Sequence, residues 1–342
     1  MNRLATGAIA AIVLAVGLVG ARGIRGQTPP STTVPSVAAG DGGMEGKVVV
    51  DDLVGPVGIA APPTGQTLLV LRLRERDVLG VDLEDPNKRW TAVPAMPVVE
   101  PRALGVIDSS TLAILVSEQE AWSIQVHRLP APGTAGAADP VQTVKLGTST
   151  ETVDGTPSIV VSPSRDWLAV TGLPRGMPKI VRLTITGARL GTPSERRCPA
   201  LAERPSAVTV GSGGEWGLFM PPAPDASDLG TFFSWISPSG SQRLLQLDSG
   251  LDRVTAAAHC RETGLLWALA RGASGDGPDG LWRLDAAFVD GRQMARAVGI
   301  AALPSPTGLV CLPNGAVAVS HGTDTSRIVR FSPRAGGPKE PP

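Results

Sequence analysis

The sequence predicts an all-β fold, a six-bladed β-propeller closed by an N-terminal strand that joins the last blade. Three observations predict it. Gly (41) and Pro (32) make up about a fifth of the 342 residues, well above the usual share of about 12%, and both disfavour long helices. A unit of short apolar strands recurs six times along the chain. A strand-like segment at 47–53 stands before the first unit without a partner there, while the last unit runs out after its third strand.

The first strand of each unit opens on a shared signal. Five units read Pro56-Val57-Gly58-Ile59, Pro101-Arg102-Ala103-Leu104, Pro157-Ser158-Ile159-Val160, Pro205-Ser206-Ala207-Val208 and Pro306-Thr307-Gly308-Leu309, and the sixth, Asp252-Arg253-Val254-Thr255, lacks only the Pro. The starts lie 45 to 56 residues apart. Turn residues then punctuate each unit, as in Pro62-Pro63-Thr64-Gly65, Pro163-Ser164-Arg165-Asp166 and Pro313-Asn314-Gly315.

Second strands follow as apolar runs, for example Thr67-Leu68-Leu69-Val70, Leu112-Ala113-Ile114-Leu115 and Ala316-Val317-Ala318-Val319. Third strands come after a polar loop, as in Trp122-Ser123-Ile124-Gln125-Val126 and Ile328-Val329-Arg330-Phe331, and a weaker fourth closes most units. Four short strands at such a period mark a propeller blade. One blade alone exposes two apolar faces, and a ring of blades buries both. The segment at 47–53 then supplies the outer strand of the last blade, with Val48 and Val50 expected on one side and Val49 on the other.

The run Val161-Ser162-Pro163-Ser164-Arg165-Asp166-Trp167-Leu168-Ala169-Val170 resembles the S-P-D-G-x-W-L-A-V hairpin of TolB-like and WD-like propeller repeats. The unit at 306–331 resembles one blade of the NHL and gluconolactonase-type six-bladed propellers. The resemblance covers roughly residues 46–333 and implies the blade architecture. Each motif marks a blade and none marks an activity.

Lys+Arg 31 balances Asp+Glu 31, and the isoelectric point is about 6.8. That argues against a nucleic-acid partner held by phosphate contacts. Three His (His127, His259, His321) fall in different units, and H-E-x-x-H, G-x-S-x-G and the P-loop pattern are absent. No catalytic constellation is legible.

Arg3 precedes residues 4–21, an uncharged apolar run of 18 residues ending in Val19-Gly20-Ala21. A charged start, an apolar core and a small-residue end describe an export signal. As a helix the run would reach roughly 27 Å, near the thickness of a bilayer core, so a retained anchor and a buried core helix are the other readings. The domain reading is 1–26 signal peptide or membrane anchor, 27–45 a Pro/Ser/Thr/Gly-rich linker, 46–333 the propeller and 334–342 a tail. Export to a periplasmic, surface or secreted location follows from either membrane-directed reading. Membrane contact is expected only through the N-terminal segment, if it is uncleaved.

Loops entering first strands and loops joining second to third strands share one mouth of a propeller's channel. Entering loops carry Glu100, Arg102, Asp154, Glu203, Arg204, Asp252 and Arg253, and second-to-third loops carry Glu118, His321 and Asp324. These form the candidate site for a small-molecule ligand or a protein partner. The plainer alternative is solvated turn residues and ion pairs between blades. Glu203-Arg204-Pro205 is similar to the E-G-P that supplies a metal-ligating Glu in gluconolactonase-like enzymes, with Arg in place of Gly and in the fourth unit rather than the first. No cofactor is required by the sequence. A metal, if held, would be Ca²⁺ or another divalent cation on Glu203 and Asp154, and the alternative function is then a metal-dependent hydrolase.

Trp122, Trp167, Trp216, Trp235, Trp267 and Trp282 all fall in second or third strands, where core packing is the expected role. Of Cys198, Cys260 and Cys311, the last two sit at equivalent positions of adjacent units, four residues before Gly264 and Gly315. A disulfide between them is open, as neighbouring inner strands are often too far apart.

Overall fold

The structure, a computed structural model, describes residues 44–153, 156–195, 205–220, 232–239, 242–246, 251, 254–270, 279–289 and 292–334. The stretch read as a signal peptide or anchor (1–26) and nearly all of the stretch read as a linker (27–45) lie outside these residues. So do Cys198, Asp154, Glu203, Arg204, Asp252 and Arg253.

The described residues form six antiparallel sheets in chain order. Blade 1 is Val57–Ala60, Thr67–Arg72, Asp77–Asp82 and Arg89–Val93, and blade 2 is Glu100–Asp108, Thr111–Glu118, Ala121–Arg128 and Gln142–Thr148. Blade 3 is Ser158–Val161, Trp167–Thr171 and Ile180–Thr186, edged by the short strands Arg189–Leu190 and Ser194–Glu195. Blade 4 is Ala207–Val210, Trp216–Met220, Phe232–Ile236 and Gln242–Gln246, and blade 5 is Val254–His259, Leu266–Ala270, Gly280–Val289 and Arg292–Ala302. Blade 6 is Pro306–Cys311, Val317–His321 and Thr325–Pro333, and its outer strand is Met44–Val54 from the start of the propeller. The first strand of each blade touches the first strand of the next, and that of blade 6 touches that of blade 1, so the ring closes.

The core is six slabs, one between each pair of successive blades. Blade 1 shows why second strands read as unbroken apolar runs. Leu68 and Val70 pack towards blade 6, whereas Leu69 and Leu71 pack towards blade 2. Side chains alternate across a strand, and here both faces are buried. Trp167 of blade 3 stacks on Trp216 of blade 4 with ring centres 4.7 Å apart, inside the slab that joins them. The expected core role of these two tryptophans holds.

Gly105 is a close approach between first strands, because a methyl there would sit 2.5 Å from Ile159 of blade 3. Turn chemistry is local. In the Ser162-to-Trp167 hairpin, the Ser162 hydroxyl donates to Asp166 at 2.7 Å and accepts from the Trp167 amide at 3.2 Å. The Ser164 and Ser162 hydroxyls hold the Asp166 carboxyl below its ordinary pKa.

Ring closure is as expected in partner, and the closing strand is longer than the predicted 47–53. Met44–Val54 runs antiparallel to the third strand of blade 6, from Met44 opposite Pro333 to Val54 opposite Thr325. The expected alternation of its valines does not hold. Val48 pairs with Val329 and Val50 with Ile328, so Val49 is an extra residue in a bulge. The bulge turns Val50 to the side of Val49, and both pack towards blade 1, while Val48 packs towards blade 5. Side chains and backbone seal the seam. Thr307 and Ser320 hydroxyls donate to the Val57 carbonyl at 2.9 and 3.0 Å, and the Ser326 hydroxyl donates to the Gly55 carbonyl.

Cys260 and Cys311 form a disulfide, with Cα atoms 5.4 Å apart. First strands are closest together beside the channel, which brings these two ends within bonding range. The bridge ties blade 5 to blade 6.

Candidate functional site

The six first strands enclose a channel cavity of about 460 Å³. Most of its lining side chains are aliphatic, Ile59, Leu104, Ile159, Val208 and Leu309 among them, with hydroxyls from residues such as Ser158, Thr209 and Thr255, and among the described residues Arg102 is its one Lys, Arg, Asp or Glu. His259 and Cys311 line it as well, at the ends of their strands and so at the mouth away from the entering loops. Burial lowers the His259 pKa, partly offset by the Glu215 charge and a backbone contact at Gly264.

At the entering-loop mouth, over blades 1 to 3, lies a second cavity of about 460 Å³. Its wall includes Arg74, Arg76, Glu100 and Arg102, together with Val153. Leu73, Arg102, Thr156 and Pro157 line both cavities, so the mouth opens into the channel beside Arg102.

Blade 1 supplies two of the arginines on the turn between its second and third strands. Arg72 and Asp77 clamp the base of that turn. The guanidinium donates twice to the carboxylate, at 2.8 and 2.5 Å, and this raises the Arg72 pKa. Arg76 is left-handed (φ 60°), donates to the Pro97 carbonyl at 2.9 Å and stands 3.9 Å from Glu100. Its own carbonyl accepts from Met96 at 2.9 Å, which ties the turn to the segment leading into blade 2.

Arg102 sits on the first strand of blade 2. It donates to the Ser117 hydroxyl at 3.0 Å, pairs with Glu100, and lies 5.9 Å over the Trp122 ring. Arg74 is exposed and makes no hydrogen bond or ion pair among the described residues. Among the described residues, the wall of this cavity therefore carries three guanidinium groups and one carboxylate, which Arg76 and Arg102 share, so its described charge is net positive.

Of the residues expected at this mouth, the fold brings Glu100 and Arg102 together. Glu118 is exposed and lines neither cavity. His321 is buried in blade 6, opposite Pro306 and Arg327, and burial and the Arg327 charge lower its pKa against a contact at Pro304. Asp324 is exposed, and its carbonyl accepts from the Gly55 amide at 2.8 Å across the seam. No hydrogen bond or ion pair joins His321 to Asp324 among the described residues. Asp154, Glu203, Arg204, Asp252 and Arg253 lie outside the described residues, and with them both expected metal ligands. Among the described residues no three His, Cys, Asp or Glu side chains converge as a metal site would need.

Sequence reasoning passed over Arg74 and Arg76. The signal was present, since Arg72-Leu73-Arg74-Glu75-Arg76-Asp77 is the second-to-third connection of blade 1. The rule that selected Glu118 and Asp324 selects it too.

The protein is a six-bladed β-propeller in class, in line with the resemblance carried by its blade motifs. No family model and no curated protein matches the sequence. Solved structures share the fold. The Trichoderma reesei Carbohydrate-Active Enzymes Family AA12 protein aligns with a TM-score of 0.61 at 13% identity over 90% of this chain and all of that one. The PQQ-bound aldose sugar dehydrogenase of Streptomyces coelicolor aligns at 0.55 and 13% identity, over 84% and 98%. A streptogramin B lyase aligns at 0.52 and 15% identity, over 84% and 97%. At such identities the likeness is one of fold, and a fold hosts many functions.

Proposed function

We propose that this chain is an exported propeller that acts as a binding module, with its ligand or partner site at the entering-loop mouth over blades 1 to 3. The observation that carries the reading is the charged depression there. Arg74, Arg76, Glu100 and Arg102 surround a cavity that continues into the channel. A concave site with a few convergent polar groups is where ligands bind. Export rests on the apolar segment at 4–21 with Arg3 before it.

A ligand-detected magnetic resonance screen of a fragment library tests the site. Hits are expected to bind the wild type and to be lost in Arg76→Glu. Hits that ignore this change but respond to His259→Glu at the opposite mouth would refute the reading. Stoichiometric Ca²⁺ retained on purification, with turnover of a lactone, would replace it with the metal-dependent hydrolase. Export is checked by locating the chain and determining its mature N-terminus. An uncut chain in the cytoplasm would contradict it.

A further inference from the structure

We propose that the mouth depression and the channel form one site for a small organic carboxylate with an apolar body. The carboxylate lies at Arg74 and the hydrocarbon part enters the channel past Arg102. The proposal rests on the reading that this mouth is the binding site, and it names the class of ligand.

Charge decides which end goes where. Arg74, Arg76 and Arg102 face Glu100 alone among the described charged residues of the depression. Glu100 is engaged by Arg102 and Arg76, and the other hydrogen bonds of these two arginines go to the Pro97 carbonyl and the Ser117 hydroxyl. Arg74 is the guanidinium left open, and its two-pronged donor geometry fits a carboxylate.

The channel selects the rest of the molecule. Below Arg102 its lining holds no Lys, Arg, Asp or Glu among the described residues, so a second charge on the ligand would be buried there without a partner from them, at high cost. The hydroxyls of Thr307 and Ser206 in the wall are committed to the carbonyls of Val57 and Phe219, whereas that of Thr255 has no partner among the described residues and leaves room for one neutral polar contact. The aliphatic side chains that make up most of the lining favour aliphatic or aromatic carbon, whose burial is favourable in proportion to area. The shared wall of Leu73, Arg102, Thr156 and Pro157 lets one molecule occupy both parts.

Calorimetric titration of the full chain with sodium butanoate, hexanoate and octanoate tests this, with octylammonium chloride as the charge-reversed control. Affinity should rise by roughly three- to four-fold per methylene, and octylammonium should not bind. Arg74→Ala should weaken octanoate by roughly ten-fold or more. Because Arg74 is exposed and unpartnered, that variant should fold, as its circular dichroism would show. Quenching or shift of Trp122 emission on octanoate binding, absent in Trp122→Phe, would place the ligand beside Arg102. Equal affinity for butanoate and octanoate would overturn the channel part. Octanoate binding unchanged by Arg74→Ala would overturn the placement of the head group. If no carboxylate binds while fragment hits remain sensitive to Arg76→Glu, this inference falls and the mouth reading stands. If nothing responds to changes at the mouth, both fall.

Discussion

The side-chain amide of Gln142, on the outer strand of blade 2, takes both backbone groups of Leu190 at the edge of blade 3. Its Nε2 donates to the Leu190 carbonyl at 2.8 Å, and its Oε1 accepts from the Leu190 amide at 2.9 Å. The amide stands in for a neighbouring strand and joins two blades at their rims. Leu190 is buried, so its backbone groups depend on this partner.

Gln142→Ala should therefore lower stability by about 1–3 kcal/mol, as both Leu190 groups lose their partner. Gln142→Glu keeps an acceptor and removes the donor, and should cost at least as much by setting a carboxylate oxygen against the carbonyl. Urea unfolding at matched m-value measures both. A loss under about 0.5 kcal/mol in each would show that the bridge contributes nothing beyond surface noise.

Removing residues 1–43 should leave the propeller intact, because the closing strand begins at Met44. Removing residues 1–54 strips that strand from the third strand of blade 6 and uncovers Ile328 and Val329, which are fully buried. An unpaired apolar edge promotes aggregation. Light scattering and melting temperature compare the two truncations. Equal solubility and equal melting would contradict closure by this strand.

The Cys260–Cys311 bridge closes a loop with a sequence separation of 51. Its removal should cost roughly 4 kcal/mol through the freed unfolded chain. Paired replacement of Cys260 and Cys311 by Ala should lower the melting temperature by the same amount as reduction of the wild type with dithiothreitol. A reductant that leaves the wild-type melting temperature unmoved would argue against the bond.

His127 is 1% exposed, and burial lowers its pKa to about 4 from 6.5, with the Asp139 charge opposing. The folded pKa is depressed, so the unfolded chain takes up a proton between pH 6.5 and 4 that the folded chain refuses. Stability is whole above pH 6.5 and falls as pH drops through that window, by up to about 1.4 kcal/mol per pH unit. His259 and His321 are lowered in the same sense. His127→Leu should flatten the pH dependence of urea stability without abolishing it. An unchanged slope would mean that His127 is protonated in the folded protein.

Trp167→Ala should destabilise by about 3–5 kcal/mol, since it empties the slab between blades 3 and 4 and removes the stack on Trp216. Trp216→Ala should cost a similar amount, and the double variant less than the sum. Strict additivity in guanidinium unfolding would show that the two rings do not interact.

Much of the fold was legible because its signals are local. A Pro at the start of five of the six units, a turn such as Pro313-Asn314-Gly315, and the apolar runs of the second strands all follow from backbone sterics and two-sided burial. So did the closing strand, since a segment without a partner at one end matched a blade short of a strand at the other. At the mouth, Glu100 and Arg102 were legible from their place in an entering loop.

The rest depended on long-range geometry. Apolar letters alone did not reveal the bulge at Val49, because a bulge is set by what the partner strand offers opposite. The Cys260–Cys311 bond and the Gln142–Leu190 bridge turn on distances between blades, to which the sequence is blind. Arg74 and Arg76 stood in plain view as charged turn residues. Only the clamp of Arg72 on Asp77 and the packing of blade 1 against blade 2 set them beside Arg102, over a channel that no single blade could enclose. Period and turn chemistry thus determined the blades, while packing between blades decided what the blades bring together, because convergence is a property of the closed ring and not of any one repeat.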